Sequence, residues 1–218
     1  MSRFPLGRTA RIAVLASGRG SNLEALLRAF PPTPPGDALG TVCLVISNRP
    51  EAPALARARA AGVEARHVAY DRREGFEAAA VAALDAADID LVCLAGFMRI
   101  LSPAFVRRYR GRLLNIHPSL LPAHRGLHAQ RQALEAGDAE SGCTVHFVDE
   151  GVDTGTIVVQ RSVPVLDGDD EESLAERIRE QEHLAFPEAV GLVLSGRVAA
   201  DAAPESSAGA RDRAEVGG

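Results

Sequence analysis

Residues 11–22 read Arg-Ile-Ala-Val-Leu-Ala-Ser-Gly-Arg-Gly-Ser-Asn, and this stretch decides the fold. Residues 11–16 form a short, nearly unbroken apolar run, the pattern of a strand buried on both faces of a sheet. The run breaks at Ser17-Gly18-Arg19-Gly20, and from Asn22 to Phe30 the apolar residues Leu23, Leu26, Leu27 and Phe30 recur at helical spacing. The reading is strand, glycine-rich turn, helix.

The same alternation continues outward. The Pro-Pro-Thr-Pro-Pro stretch at 31–35 ends the helix, and 41–46 is a second strand closing at Ser47-Asn48-Arg49-Pro50. A helix over 52–61 stops at Gly62, a third strand falls within 63–70, an alanine-rich helix over 74–87, and an apolar strand over 90–95 ending at Gly96. Ser102 followed by Pro103 is an N-cap with proline at the first helical position, launching a short helix through Tyr109. Residues 112–116 form a strand that runs into His117-Pro118. Strands and helices alternating in this way predict an α/β fold, a doubly wound and mostly parallel sheet with right-handed crossovers. Residues 144–148 and 156–165 read as two strands joined by the loop 149–155, an antiparallel C-terminal pair, and 171–194 as a long final helix. The expected organisation is one domain over 9–198 and a disordered tail over 199–218, where alanine is mixed with Gly, Ser, Asp, Glu and Arg.

Composition excludes several chemistries. All 24 basic side chains are arginine, so no Schiff-base lysine, pyridoxal-phosphate anchor or P-loop lysine is available. With 46% apolar and 24% charged residues the chain of 218 is ordinary for a soluble globular protein. A net charge of −5 lacks the basic footprint that nucleic acid attracts, so no nucleic-acid partner is expected. Cys43, Cys93 and Cys143 are odd in number, far apart and set in apolar runs, as small core residues are. No secretory h-region precedes the first strand and no apolar run reaches membrane-span length, which predicts a cytoplasmic protein with no membrane partner.

Ligands of open α/β sheets bind outside the carboxyl ends of strands, so the segments leaving those ends are the candidates. Ser17–Asn22 is either a plain tight turn or an anion cradle, with backbone N–H groups and a helix N-terminus facing a phosphate. It fails as a dinucleotide fingerprint, because Leu23 stands where the third glycine belongs and no acidic residue ends the second strand. Asn115 and His117, at i and i+2 on a strand, point to one face, where an amide and an imidazole meet at a carboxyl end. Asp153, in an acidic glycine-punctuated turn, is a turn residue in isolation and a carboxylate partner once a histidine needs orienting. The run Gly96-Phe97-Met98-Arg99-Ile100-Leu101 is apolar where a loop is normally polar, which fits either core packing of the next helix or a flat apolar ligand. His146 has no visible partner, His67, His124 and His128 read as loop or surface residues, and Arg179 with Glu182 as an exposed ion pair about one helical turn apart. No His or Cys set has metal-ligand spacing, so no metal is expected.

Four motifs together, Ser-Gly-Arg-Gly-Ser-Asn (17–22), Leu-Ala-Gly-Phe-Met-Arg-Ile-Leu-Ser (94–102), Leu-Leu-Asn-Ile-His-Pro-Ser-Leu-Leu-Pro (113–122) and Val-Asp-Thr-Gly (152–155), closely resemble those of the glycinamide ribonucleotide formyltransferases, folate-dependent enzymes of purine biosynthesis. The resemblance runs from about Arg11 to Arg197. It implies that Gly20, Ser21 and Asn22 hold the phosphate of glycinamide ribonucleotide, with Arg179 and Glu182 closing round it. It implies that Arg73, Met98, Arg99, Ile100, Leu101 and Asn115 bind the co-substrate 10-formyltetrahydrofolate, and that Asn115, His117 and Asp153 are catalytic. The partners so implied are small molecules only, for a monomer or homodimer. Ala123-His124-Arg125, Gln130 and Thr156 depart from the usual pattern.

The implied chemistry needs no enzyme nucleophile. A neutral amine attacks the formyl carbon, and donors such as the Asn115 amide and a protonated His117 stabilise the resulting oxyanion at about 3 kcal/mol each, with Asp153 favouring the imidazolium. Formyltetrahydrofolate hydrolases and methionyl-tRNA formyltransferases share the Asn, His and Asp elements. The former are expected to carry an N-terminal regulatory domain and the latter a basic C-terminal domain. A non-catalytic nucleotide-binding α/β module is the alternative outside enzymes, and it leaves Asn115, His117 and Asp153 unexplained.

Overall fold

A computed structural model describes residues 3–200. Strand β1 (Ala10–Leu15) is followed by helix α1 (Ser21–Ala29), β2 (Gly40–Ser47), α2 (Pro53–Ala60), β3 (Glu64–His67), α3 (Arg73–Ala86), β4 (Leu91–Leu94), α4 (Pro103–Arg108) and β5 (Leu113–His117). Then come α5 (Ala129–Ala136), β6 (Glu140–Phe147), β7 (Ile157–Pro164) and α6 (Glu171–Leu194). One seven-stranded sheet runs in the order β3-β2-β1-β4-β5-β6-β7. The pairs from β3 to β5 are parallel, whereas β6 is antiparallel to both β5 and β7. This is the doubly wound, mostly parallel sheet with an antiparallel C-terminal pair and long last helix that the alternation predicts.

Both faces of β1 are buried, which is why its sequence shows no polar alternation. Ile12 and Val14 face a core shared with Leu23 and Leu26 of α1 and Phe186, Val190 and Val193 of α6. Ala13 and Leu15 face the opposite core, with Phe76, Ala80 and Leu84 of α3, Phe105 of α4 and Tyr109 at its end. Burying a side chain of this size contributes about 1.5–3 kcal/mol, so two such layers dominate the stability of the fold. Cys93 and Cys143 are core residues and Cys43 is half-buried; all three thiols are free.

Two parts of the chain differ from expectation. Residues 129–136, for which the sequence pattern gives no element, form α5, closed by Gly137 at φ +69°. Strand β6 begins at Glu140 rather than Thr144, because Glu140–Cys143 pair with Arg161–Pro164 of β7. The expected tail over 199–218 lies, from residue 201 on, outside the described residues.

The winding reverses between the parallel strands β1 and β4, the first strand leading to β2 on one side while β4 leads to β5 on the other. A crevice opens outside the carboxyl ends of two strands at such a switch point. Every segment with candidate chemistry leaves the sheet at this edge or folds back over it.

Candidate active site

Gly20 precedes α1 with φ +80°, a conformation that L side chains adopt at a cost of about 1–2 kcal/mol. A Cβ there would also lie 2.9 Å from the Ala54 Cα, so the turn closes against α2 only with glycine. The turn and the first residues of α1 wall a cavity of about 340 Å³, whose other sides come from Gly96 and Met98 after β4, Ile116 and Pro118 of β5 and its exit, and Arg179 and Glu182 of α6. The Asn22 amide donates to Glu182 Oε2 at 2.8 Å, while Asn22 Oδ1, although buried, has no partner among the described residues. Arg179 and Glu182 are therefore not the exposed ion pair their spacing suggests. Burial pushes the Glu182 carboxyl up, against the Asn22 hydrogen bond and the charges of Arg179 and Arg19. A larger hollow of about 790 Å³ beside Arg72 at the start of α3 holds none of these groups.

Asn115 and His117 do point to one face of β5, and antiparallel pairing sets His146 of β6 directly opposite Asn115. His146 Nδ1 lies 2.8 Å from the Phe147 carbonyl, so Nδ1 carries the hydrogen and Nε2 accepts the Asn115 amide N–H at 3.2 Å. This histidine, without visible partner in the sequence, orients the asparagine and leaves one amide hydrogen for another acceptor. Asp153 approaches both histidines, with Oδ2 3.3 Å from His117 Nδ1 and Oδ1 3.5 Å from His146 Nε2. The Gly126 N–H donates to Asp153 Oδ2 at 2.9 Å and fixes the carboxylate.

The aspartate reaches this position through a shaped turn. Asp149 Oδ1 accepts from the Gly151 N–H and from Thr154 Oγ1, at 3.1 and 2.6 Å, and Asp153 itself sits at φ +52°. Gly155 passes so close to β6 that a Cβ would fall 1.8 Å from the Phe147 carbonyl oxygen. Strained backbone of this kind persists only where the surroundings over-determine it.

Both ring nitrogens of His117 face acceptors, since Nε2 is 2.9 Å from the His124 carbonyl and Nδ1 faces Asp153. A neutral imidazole has one N–H and satisfies only one of them. Burial nevertheless pushes His117 below the ordinary histidine value, outweighing the upward pull of the His124 carbonyl and Asp153. For Asp153 burial pushes upward, but the contact with His146, the Gly126 N–H and the nearby imidazoles outweigh it, and the carboxyl titrates below its ordinary value. The ring is thus poised: burial favours the neutral form, and any added negative oxygen favours the imidazolium.

The loop over the site is pinned from several sides. Thr144 Oγ1 donates to the Ser119 carbonyl at 2.7 Å and accepts the Leu121 N–H at 3.1 Å. His124, read as a loop or surface residue, lies in the loop between β5 and α5 but is half-buried, with Nε2 2.6 Å from Asp138 Oδ2 just past the end of α5. In the loop after β4 the two readings of the apolar run divide. Phe97 and Leu101 belong to the core, while Met98 and Ile100 are 60% and 71% exposed. Arg99 lies over the Tyr70 ring with Cζ 4.6 Å from its centroid, and Arg73 stands exposed at the start of α3, apart from the other candidates. Among the described residues no group of three or more His, Cys, Asp or Glu is placed to hold a metal ion, and no helix is long and apolar enough to cross a membrane.

A glycine turn walls a cavity at the switch point, and an amide, two imidazoles and a carboxylate are linked by short contacts at the end of β5. A sequence profile of the Formyl transferase family matches residues 10–190, and the chain belongs to that family. It is 47% identical to phosphoribosylglycinamide formyltransferase of Escherichia coli over 190 residues, covering 86% of this chain and 88% of that protein. It is 55% identical to the trifunctional purine biosynthetic protein adenosine-3 of Drosophila melanogaster, but spans only 14% of the length of that relative. The crystal structure of glycinamide ribonucleotide transformylase 1 from Symbiobacterium toebii superposes with a TM-score of 0.81 at 49% identity, covering 88% of this chain and 90% of that one.

Proposed function

We propose that the chain transfers the formyl group of 10-formyltetrahydrofolate to the primary amine of glycinamide ribonucleotide, giving formylglycinamide ribonucleotide and tetrahydrofolate. The observation that carries the reading is the linkage at the carboxyl end of β5, where Asp153 contacts His117 and, through His146, is joined to Asn115; the neighbouring β5 residues Ile116 and Pro118 wall the cavity behind the Gly20–Asn22 turn. The ribonucleotide phosphate sits on the backbone N–H groups of Gly20, Ser21 and Asn22, where the helix dipole favours an anion, with Arg179 and Glu182 against the sugar. The co-substrate's pterin lies along Met98–Leu101 and its glutamate reaches an arginine such as Arg73 or Arg99.

The neutral amine attacks the formyl carbon, and negative charge develops on the formyl oxygen. The free Asn115 N–H donates to it, and the His117 Nε2–H turns to it from the His124 carbonyl, each donor contributing about 3 kcal/mol at the transition state. Asp153 holds the Nδ1 side of the ring and balances the imidazolium charge. The attacking nitrogen then loses a proton, the folate nitrogen gains one through water near Asp153, and the bond from carbon to that nitrogen breaks. No covalent enzyme intermediate forms and no metal takes part.

Incubation with 10-formyltetrahydrofolate, with and without glycinamide ribonucleotide, tests the reading. Tetrahydrofolate formation strictly dependent on the ribonucleotide, with one formylated ribonucleotide per turnover, is the expected result. Equal loss of the formyl group without the ribonucleotide would make the protein a hydrolase, and no reaction would make it a binding module.

A further inference from the structure

Helix α3 presents Arg73, Phe76 and Glu77 at i, i+3 and i+4, which places them on one face. That face holds the loop after β4. The Phe76 ring stacks on Phe97 with centroids 5.4 Å apart. At the next residue, Glu77 Oε1 accepts the Ser102 N–H at 2.6 Å and Oε2 accepts the Ser102 hydroxyl at 2.5 Å. Glu77 is only 9% exposed. A buried carboxylate is costly to keep, and this one is retained by two donors from a single residue of the loop.

The other end of the loop is held as firmly. Ser17 Oγ accepts the Met98 N–H at 2.9 Å and donates to Asn48 Oδ1 at 2.7 Å, and both of those side chains are buried. Between the two anchors Met98 and Ile100 project their apolar side chains outward. A loop clamped by buried polar groups at both ends, with apolar residues exposed between them, has its ordering cost met before a ligand arrives, which is how preorganisation raises affinity.

We propose that Glu77 is a positioning residue for the co-substrate: by gripping the amide and hydroxyl of Ser102 it fixes the Met98–Leu101 segment against which the pterin lies. The proposal rests on the formyl-transfer reading of the site. It differs from a purely structural role because Glu77 supports one substrate's loop and makes no contact with the Gly20–Asn22 cradle.

The test compares the wild-type protein with Glu77→Ala and Glu77→Gln by steady-state kinetics in each substrate, calorimetric titration with tetrahydrofolate, and thermal melting. Glu77→Ala is expected to raise the KM for 10-formyltetrahydrofolate and the Kd for tetrahydrofolate about tenfold, ~1.4 kcal/mol. The KM for glycinamide ribonucleotide should stay within about twofold. Glu77→Gln, which keeps one acceptor for the Ser102 N–H, is expected to recover part of the loss. Unchanged cofactor KM and Kd in both variants would overturn the proposal, as would a parallel rise in both KM values. Should Glu77→Ala not fold, Glu77→Gln decides alone, a wild-type Kd for tetrahydrofolate overturning the proposal and a weakened one supporting it. If the wild-type protein binds tetrahydrofolate but transfers no formyl group, the reading of the site fails while the Kd comparison still judges Glu77.

Discussion

Asn115 has two amide hydrogens, and His146 accepts one of them. The other is the donor proposed for the oxyanion, so Asn115→Ala should lower kcat about 100–1000-fold with little change in either KM. His146→Phe keeps the volume but frees the amide to rotate, and its expected loss is about 10–100-fold, the size seen when orienting partners of functional groups are removed. Comparable kcat in either variant would contradict these roles. The Asp153 charge pulls the His117 ring upward against burial. Asp153→Asn removes that charge, so the imidazolium is less favoured and the His117 pKa should fall further, as read from its ring proton shifts by NMR; a rise or no change would contradict the pairing. The pair was legible only in part from the sequence. Asn115 and His117 share a strand face by simple periodicity, whereas His146 acquires its meaning from the β5–β6 register, which no local pattern records.

At the scale of the element, α6 begins with a reciprocal cap. Asp170 Oδ1 accepts the N–H groups of Glu172 and Ser173, and Ser173 Oγ accepts the Asp170 N–H at 3.1 Å. Next to it the Arg177 guanidinium, bonded to both oxygens of Asp169 at 2.6 and 2.9 Å, holds that carboxyl well below its ordinary value. A carboxyl depressed in the folded state contributes stability fully above its unfolded value, about 3.9, and loses it as pH falls toward the folded value. Asp169→Asn should therefore lower the Tm at neutral pH and narrow its gap to the wild type below about pH 4; a constant gap would contradict the ion pair. At the other end of the site, Gly20→Ala should cost about 1–2 kcal/mol in stability and raise the KM for the ribonucleotide more than that for the folate. Most elements were legible because buried parallel strands and capped helices leave strong local patterns. Helix α5 was missed although Ala129–Ala136 are good helix formers closed by Gly137, since two histidines in the preceding glycine-containing stretch read as loop. The exposed ion pair read from Arg179 and Glu182 failed for a different reason: helix spacing places two side chains near each other but says nothing of Asn22 arriving from α1.

Across the described residues, two apolar layers hold a sheet whose reversal of winding coincides with the crevice. The cradle at the end of β1, the loop after β4 and the amide–imidazole pair at the end of β5 meet there because three parallel strands end side by side. The absence of lysine from the chain is compatible with the proposed chemistry, in which the substrate would bring the nucleophilic amine and backbone N–H groups would receive the phosphate. The measurement that tests the account most directly is a single-turnover rate of formyl transfer, with enzyme in excess over 10-formyltetrahydrofolate and saturating glycinamide ribonucleotide. It should be made for the wild-type protein and for His117→Ala and Asp153→Ala of unchanged Tm. The account predicts a loss of about 10²–10⁴ in the rate of the chemical step for each variant. Transfer at near wild-type rate in either folded variant would contradict it.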